Sequence, residues 1–89
     1  MEKKFELTVG KSTANGLAKV LAVMEQEHGD GVVLGQLYHD HSKFVTWRFD
    51  VSDHTHTWSG NYFMEDPADP DACWESARAD FLERIERYL

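Results

Sequence analysis

The sequence predicts an α+β fold of two layers with the order β-α-β-β-β-α, an antiparallel sheet carrying both helices on one face. Three observations predict it. Apolar residues alternate in Lys4 to Val9 and again in Phe44 to Val51, the period of a strand. Between Leu17 and Met24 they recur at three and four, the period of a helix. Asp69-Pro70 then precedes a long amphipathic run to Leu89, as a helix start does.

In "KFELTV" Phe5, Leu7 and Val9 alternate with Lys4, Glu6 and Thr8, a half-buried strand expected to add to one sheet edge. Ser12 or Thr13 offers an N-cap to the first helix, whose core face is Leu17, Val20, Leu21 and Met24. Gly29 suits the left-handed position that ends it, and His28 suits its negative end. Gly16 in its first turn costs up to about 1 kcal/mol relative to alanine.

Three further strands follow with short turns, Val32 to His39, Phe44 to Val51 and Thr55 to Met64, and predict a meander. In the middle one Val45, Trp47, Phe49 and Val51 form the core side. Thr46, Arg48 and Asp50, with Thr55, Thr57, Ser59 and Asn61 of the next strand, form a hydrophilic side expected to face solvent. The last helix, Pro70 to Leu89, is expected to bury Trp74, Ala77, Phe81, Ile85 and Tyr88 and, on its outer face, to pair Asp80 with Arg84 and Glu83 with Arg87.

Eighty-nine residues fit one domain, 1–89, and 42% hydrophobic residues suffice for its core without staples. One cysteine excludes an internal disulfide. No stretch approaches the roughly 18 apolar residues of a membrane span, and the start has no apolar signal region, so a cytoplasmic chain without a membrane partner is expected. The net charge is −7, from 16 acidic and 9 basic side chains, with no basic stripe. A phosphate backbone would be repelled, so no nucleic-acid partner is expected. The charge match is a basic protein surface.

The residue pattern that most suggests chemistry is two His-x-His pairs, His39/His41 and His54/His56. One intervening residue on a strand puts both rings of a pair on one face, as two metal ligands would need. The pairs flank the Phe44–Val51 strand, whose roughly nine residues at ~3.3 Å separate the two turns by about 30 Å. Zinc holds its ligands about 2 Å from one centre, so the four rings cannot share an ion within one chain. The sequence therefore predicts no metal and no other cofactor, the four histidines being surface or core-edge residues. A site shared between chains is the metal alternative.

Cys73 lies in the first turn of the last helix, among Asp69, Asp71 and Glu75 and beside Trp74, and reads as a buried structural thiol. Glu65, Asp66, Asp69 and Asp71 lack the order of a calcium loop and read as a solvated acidic connector available to a basic partner. Trp47, Trp58 and Trp74 fall on core-facing positions rather than on a base-stacking platform. No phosphate loop, nucleophile elbow or redox Cys pair is present, and no carboxylate pair falls on an apolar, pocket-like stretch.

The α-β-β-β-α portion, Ser12 to Leu89, is similar in element order to double-stranded RNA-binding domains. Those carry a basic cluster at the start of the last helix, where this chain reads "DPDACWESARAD". The C-terminal half, "FVTWRFD…WSGNYF…ARADFLERI", resembles short proteins encoded on bacterial phages and mobile elements, in which an aromatic hairpin precedes a helix. That resemblance implies no catalytic residue.

Two functions follow as expectations. The first is a non-enzymatic interaction protein, a monomer or an edge-strand homodimer, that binds a basic partner as an inhibitor, immunity-type or accessory factor would. The second is a metal-binding or nucleic-acid-associated protein that uses the His-x-His pairs, across a dimer if need be.

Overall fold

Val20, Leu21 and Val23 decide the first element, and they make it a strand. A computed structural model describes residues 4–64 and 71–89. In it β1 (Ala18–Glu25), β2 (Asp30–Leu37), β3 (Phe44–Asp50) and β4 (Asp53–Phe63) form one antiparallel sheet in the order β1-β2-β3-β4. The helix α1 (Ala72–Tyr88) follows. The β-α-β-β-β-α expectation is therefore corrected. The predicted first helix is β1, Lys4 to Val9 is not a strand, and among the described residues a single helix rather than two covers one sheet face. The α-β-β-β-α order shared with double-stranded RNA-binding domains goes with that helix.

A β-bulge explains the misreading. Val20 pairs with Gly35 and Ala22 with Leu34, so Leu21 is the extra residue of the β1 strand. Before the bulge Ala18 and Val20 point to one face; after it Val23 does. The step of three from Val20 to Val23 is what a bulge leaves in an alternating strand, and it imitates a helix. Gly16 and Gly29, with φ of 75° and 96°, sit in turns on either side of β1 rather than at helix positions.

Both sheet faces are apolar at the centre, which is why β2 is buried from Gly31 to Gly35 without alternation. On one face Ala18, Val20, Val33, Leu37, Val45, Trp47 and Phe49 pack together beneath Leu7. Leu7 belongs to an N-terminal strap, residues 4–9, that crosses this face. Beyond it Gly10 donates to the Val20 carbonyl and Val20 to that of Lys11, which ties the chain to the β1 edge. On the other face Val32, Leu34 and Phe44 meet Cys73, Ala77 and Phe81 of α1, with Leu21, Phe63 and Ile85 at the margin. Burial of a side chain the size of Phe81 contributes about 1.5–3 kcal/mol.

The helix-covered face is the one whose polar residues were expected in solvent. Thr46 is fully buried there, and Arg48 is half-buried. The expected helix start at Asp69-Pro70 lies outside the described residues; Asp71 occupies the N-cap position and its carbonyl accepts the Glu75 N–H. The buried helix residues are Cys73, Ala77, Phe81 and Arg84, spaced four, four and three. Trp74 remains 38% exposed, its ring against Phe44, and Tyr88 lies over Arg48.

Gly31 shows how closely β2 and β3 approach. It pairs with Phe49, whose ring lies across it, and a Cβ there would stand 2.3 Å from Phe49 Cζ. Gly31→Ala is expected to destabilise the protein by about 1–3 kcal/mol, the range of forced overpacking. Urea unfolding checks it through a lowered midpoint at unchanged slope.

Candidate functional site

The β2–β3 turn holds His39 and His41, both exposed, and the β3–β4 turn leads into His54 and His56. β3 lies extended between them, seven residues that span about 23 Å at ~3.3 Å each. The two pairs stand at opposite ends of it. Among the described residues no group of three or more His, Cys, Asp or Glu side chains is placed to hold a metal ion.

Nor does the second pair act as a pair. Phe49 pairs with Thr57 but Asp50 with Asp53, so residues 54–56 form an irregularity that breaks the alternation. His54 turns inward and is 8% exposed, its ring steeply inclined to that of Phe49 with 4.7 Å between ring centres. His56 stays exposed, its ring 5.1 Å from that of Trp58. The shared face expected from their spacing is lost to this irregularity.

Of the acidic connector, Glu65, Asp66 and Asp69 lie outside the described residues, and exposed Asp71 opens α1. Cys73 is buried in the sheet–helix core, as the sequence implies. Trp47 is buried and Trp58 half-buried, whereas Trp74 is more exposed than its expected core position.

The sequence reading missed a polar cluster clamped between α1 and the sheet. Thr46 of β3 donates its hydroxyl to Asp80 Oδ2, and Asn61 of β4 donates to both Asp80 oxygens at 3.2 Å. Arg84 Nε donates to the same carboxylate at 3.1 Å, and its Nη2 donates to the Ser59 carbonyl at 2.6 Å. That carbonyl is presented by a second bulge, where Ser59 takes φ 53°. Beside the cluster Arg48 bonds to Asp30 and lies 3.8 Å below the Tyr88 ring centre and 5.5 Å from that of Trp58. The signal was available: Thr46 and Asn61 are cross-strand partners, and Asp80 and Arg84 are one helical turn apart.

Chemically the cluster is a fastener. Donors from β3, β4 and α1 occupy the Asp80 carboxylate, which leaves it poorly placed to take a proton from a substrate. A small cavity of about 230 Å³ beside it is lined by Ser59, Asn61, Glu83, Arg87 and Tyr88 among others. Arg87 there is held more firmly protonated than usual by Tyr88 and then Glu83. A larger cleft, about 800 Å³, opens between Lys4–Glu6 of the strap and Val51–His54 of the β3–β4 turn.

Three aspartates at the two inter-strand turns that flank β3 repeat one device. Asp40, Asp50 and Asp53 each accept both the backbone N–H and the hydroxyl of the residue two ahead, Ser42, Ser52 and Thr55. Those side-chain and backbone bonds hold each carboxyl below the ordinary aspartate range. The stabilisation is thus complete above the unfolded-state value and is lost as pH falls through the lower folded-state values. Thermal melts below about pH 4 are expected to lose less midpoint per pH unit in Asp40→Asn/Asp50→Asn/Asp53→Asn than in wild type. Parallel pH dependences would contradict this.

Among the described residues, no helix is long and apolar enough to cross a membrane. Comparison of the chain with protein-family models, with curated proteins and with solved structures finds no match.

Proposed function

We propose that this chain is a small non-enzymatic interaction protein whose acidic surface engages a basic protein partner, as an inhibitor or accessory factor does. The observation that carries the reading is charge: −7 over 89 residues. How the cations are used supports it. Arg48, Arg84 and Arg87 are each bonded to a carboxylate of the chain itself, Asp30, Asp80 and Glu83. Glu27, Glu75 and Glu86 stand exposed, and the connector adds Glu65, Asp66, Asp69 and Asp71. Such a surface raises the encounter rate with a basic partner and rejects acidic ones. The polar cluster supports the non-enzymatic part, since its carboxylate is spent on holding α1 to the sheet.

Affinity capture from the source cell, read by mass spectrometry, tests the proposal against a charge-matched control protein. A basic protein should be enriched reproducibly by the wild-type chain and lost with Glu65→Lys/Asp66→Lys/Asp69→Lys. No enrichment over the control, or enrichment indifferent to charge reversal, would refute it.

A further inference from the structure

We propose that His54 is an acid-released latch that holds the N-terminal strap on the sheet. Of the five histidines it alone is buried. Its Nδ1 accepts the backbone N–H of Leu7 at 3.0 Å, and its Nε2 lies 3.1 Å from Glu25 Oε2. A backbone amide only donates, so Nδ1 must carry no proton; Nε2 then carries the ring's proton and donates it to the carboxylate. The neutral ring satisfies both contacts. His54 thereby joins strap, β1 and β4 across one row of the sheet, over Gly31 and the Phe49 ring.

Adding a proton destroys one contact and keeps the other. An imidazolium is a donor at both nitrogens, so Nδ1–H would face the Leu7 N–H, donor against donor. The Glu25 contact survives and becomes an ion pair. The acidic groups near the ring are Glu25 on β1, Asp50 at the end of β3, Asp53 on β4 and Glu6 on the strap. The basic or titrating ones are Lys4 on the strap and His56 on β4. The closed strap requires the unprotonated ring, whereas the open strap accepts either form. Acid therefore shifts the balance to the open strap, by linkage.

What opens is defined by the packing. Leu7 is the strap's buried residue, while Phe5 and Val9 are 37% and 62% exposed. Gly10 and Lys11 stay tied to Val20, so the segment before them lifts while the sheet remains intact. Lifting Leu7 uncovers the apolar face around Val33, Trp47 and Phe49 and widens the cleft beside Lys4–Glu6.

Amide hydrogen exchange by NMR on the full chain tests the latch, with each rate corrected for the intrinsic pH dependence. As the pH is lowered until the His54 ring signals report its protonation, Leu7 should lose at least tenfold in protection while Val33 at the sheet centre holds. His54→Asn puts a non-titrating oxygen near the place of Nδ1, and its Leu7 protection should not change with pH. His54→Phe, with no acceptor, should leave Leu7 unprotected throughout. Should a variant fail to fold, the wild-type chain alone decides: the Leu7 amide shift must titrate with the His54 ring signals. Leu7 protection constant with pH in the wild type, or a fall equal to that of Val33, would overturn the proposal.

Discussion

Asp80→Ala is expected to lower stability by about 3 kcal/mol, the low end of the cost of removing one partner from a buried ion pair. The reason is what the substitution leaves behind. Arg84 is 8% exposed and its Nη1 already lacks a hydrogen-bond partner, so losing the Asp80 carboxylate strands Nε as well. Thr46, fully buried, loses the acceptor of its hydroxyl, and Asn61 loses both of its bonds to α1. Asp80→Asn keeps an oxygen for one of these donors and should cost less. Denaturant unfolding monitored by tryptophan fluorescence measures both. Exposed Glu86 gives the reference: Glu86→Ala should change stability by no more than about 0.5 kcal/mol.

Phe49→Ala is the second large effect, expected at about 3–5 kcal/mol. Phe49 is fully buried, its ring fills the space that Gly31 leaves open, and it packs against the steeply inclined His54 ring. Truncation opens a cavity on both counts, and β2 cannot collapse into it because its other face is pinned by Val32 and Leu34 against α1. A second consequence separates this from a generic core loss. Without the ring, His54 loses its packing on the sheet, so Leu7 should lose amide protection ahead of the sheet centre.

The meander and the last helix were legible because their signals are local. β3 shows an uninterrupted period of two, which predicts Phe44 to Val51 where the strand runs Phe44–Asp50. The helix repeats at three and four, and its Asp80–Arg84 and Glu83–Arg87 pairs form as spaced, although Asp80–Arg84 turns toward the sheet and not to the outer face. What failed to show was what depends on a partner. β1 is a strand because β2 lies beside it; alone, its bulged pattern reads as a helix. Lys4 to Val9 alternates as a strand does, yet it buries only Leu7 and crosses the sheet instead of joining it.

The hydrophilic side of β3 looked solvated because Thr46 and Arg48 are polar. A polar residue can be buried once its partners are supplied, and Asp80, Asp30 and Tyr88 supply them. The histidines were legible in part. Their segregation to the two ends of β3 followed from strand length alone. That His54 faces inward and His56 outward did not, since residues 54–56 depart from the alternation on which such a reading relies.

The arrangement as a whole stands on α1 covering the polar side of β3, and a double-mutant cycle between Thr46→Val and Asp80→Ala tests that placement directly. Residues that share a buried hydrogen bond should couple, here by at least about 1 kcal/mol, with the double variant losing much less than the two single losses summed. Additive losses, with Thr46→Val alone near neutral, would put Thr46 in solvent and contradict the account.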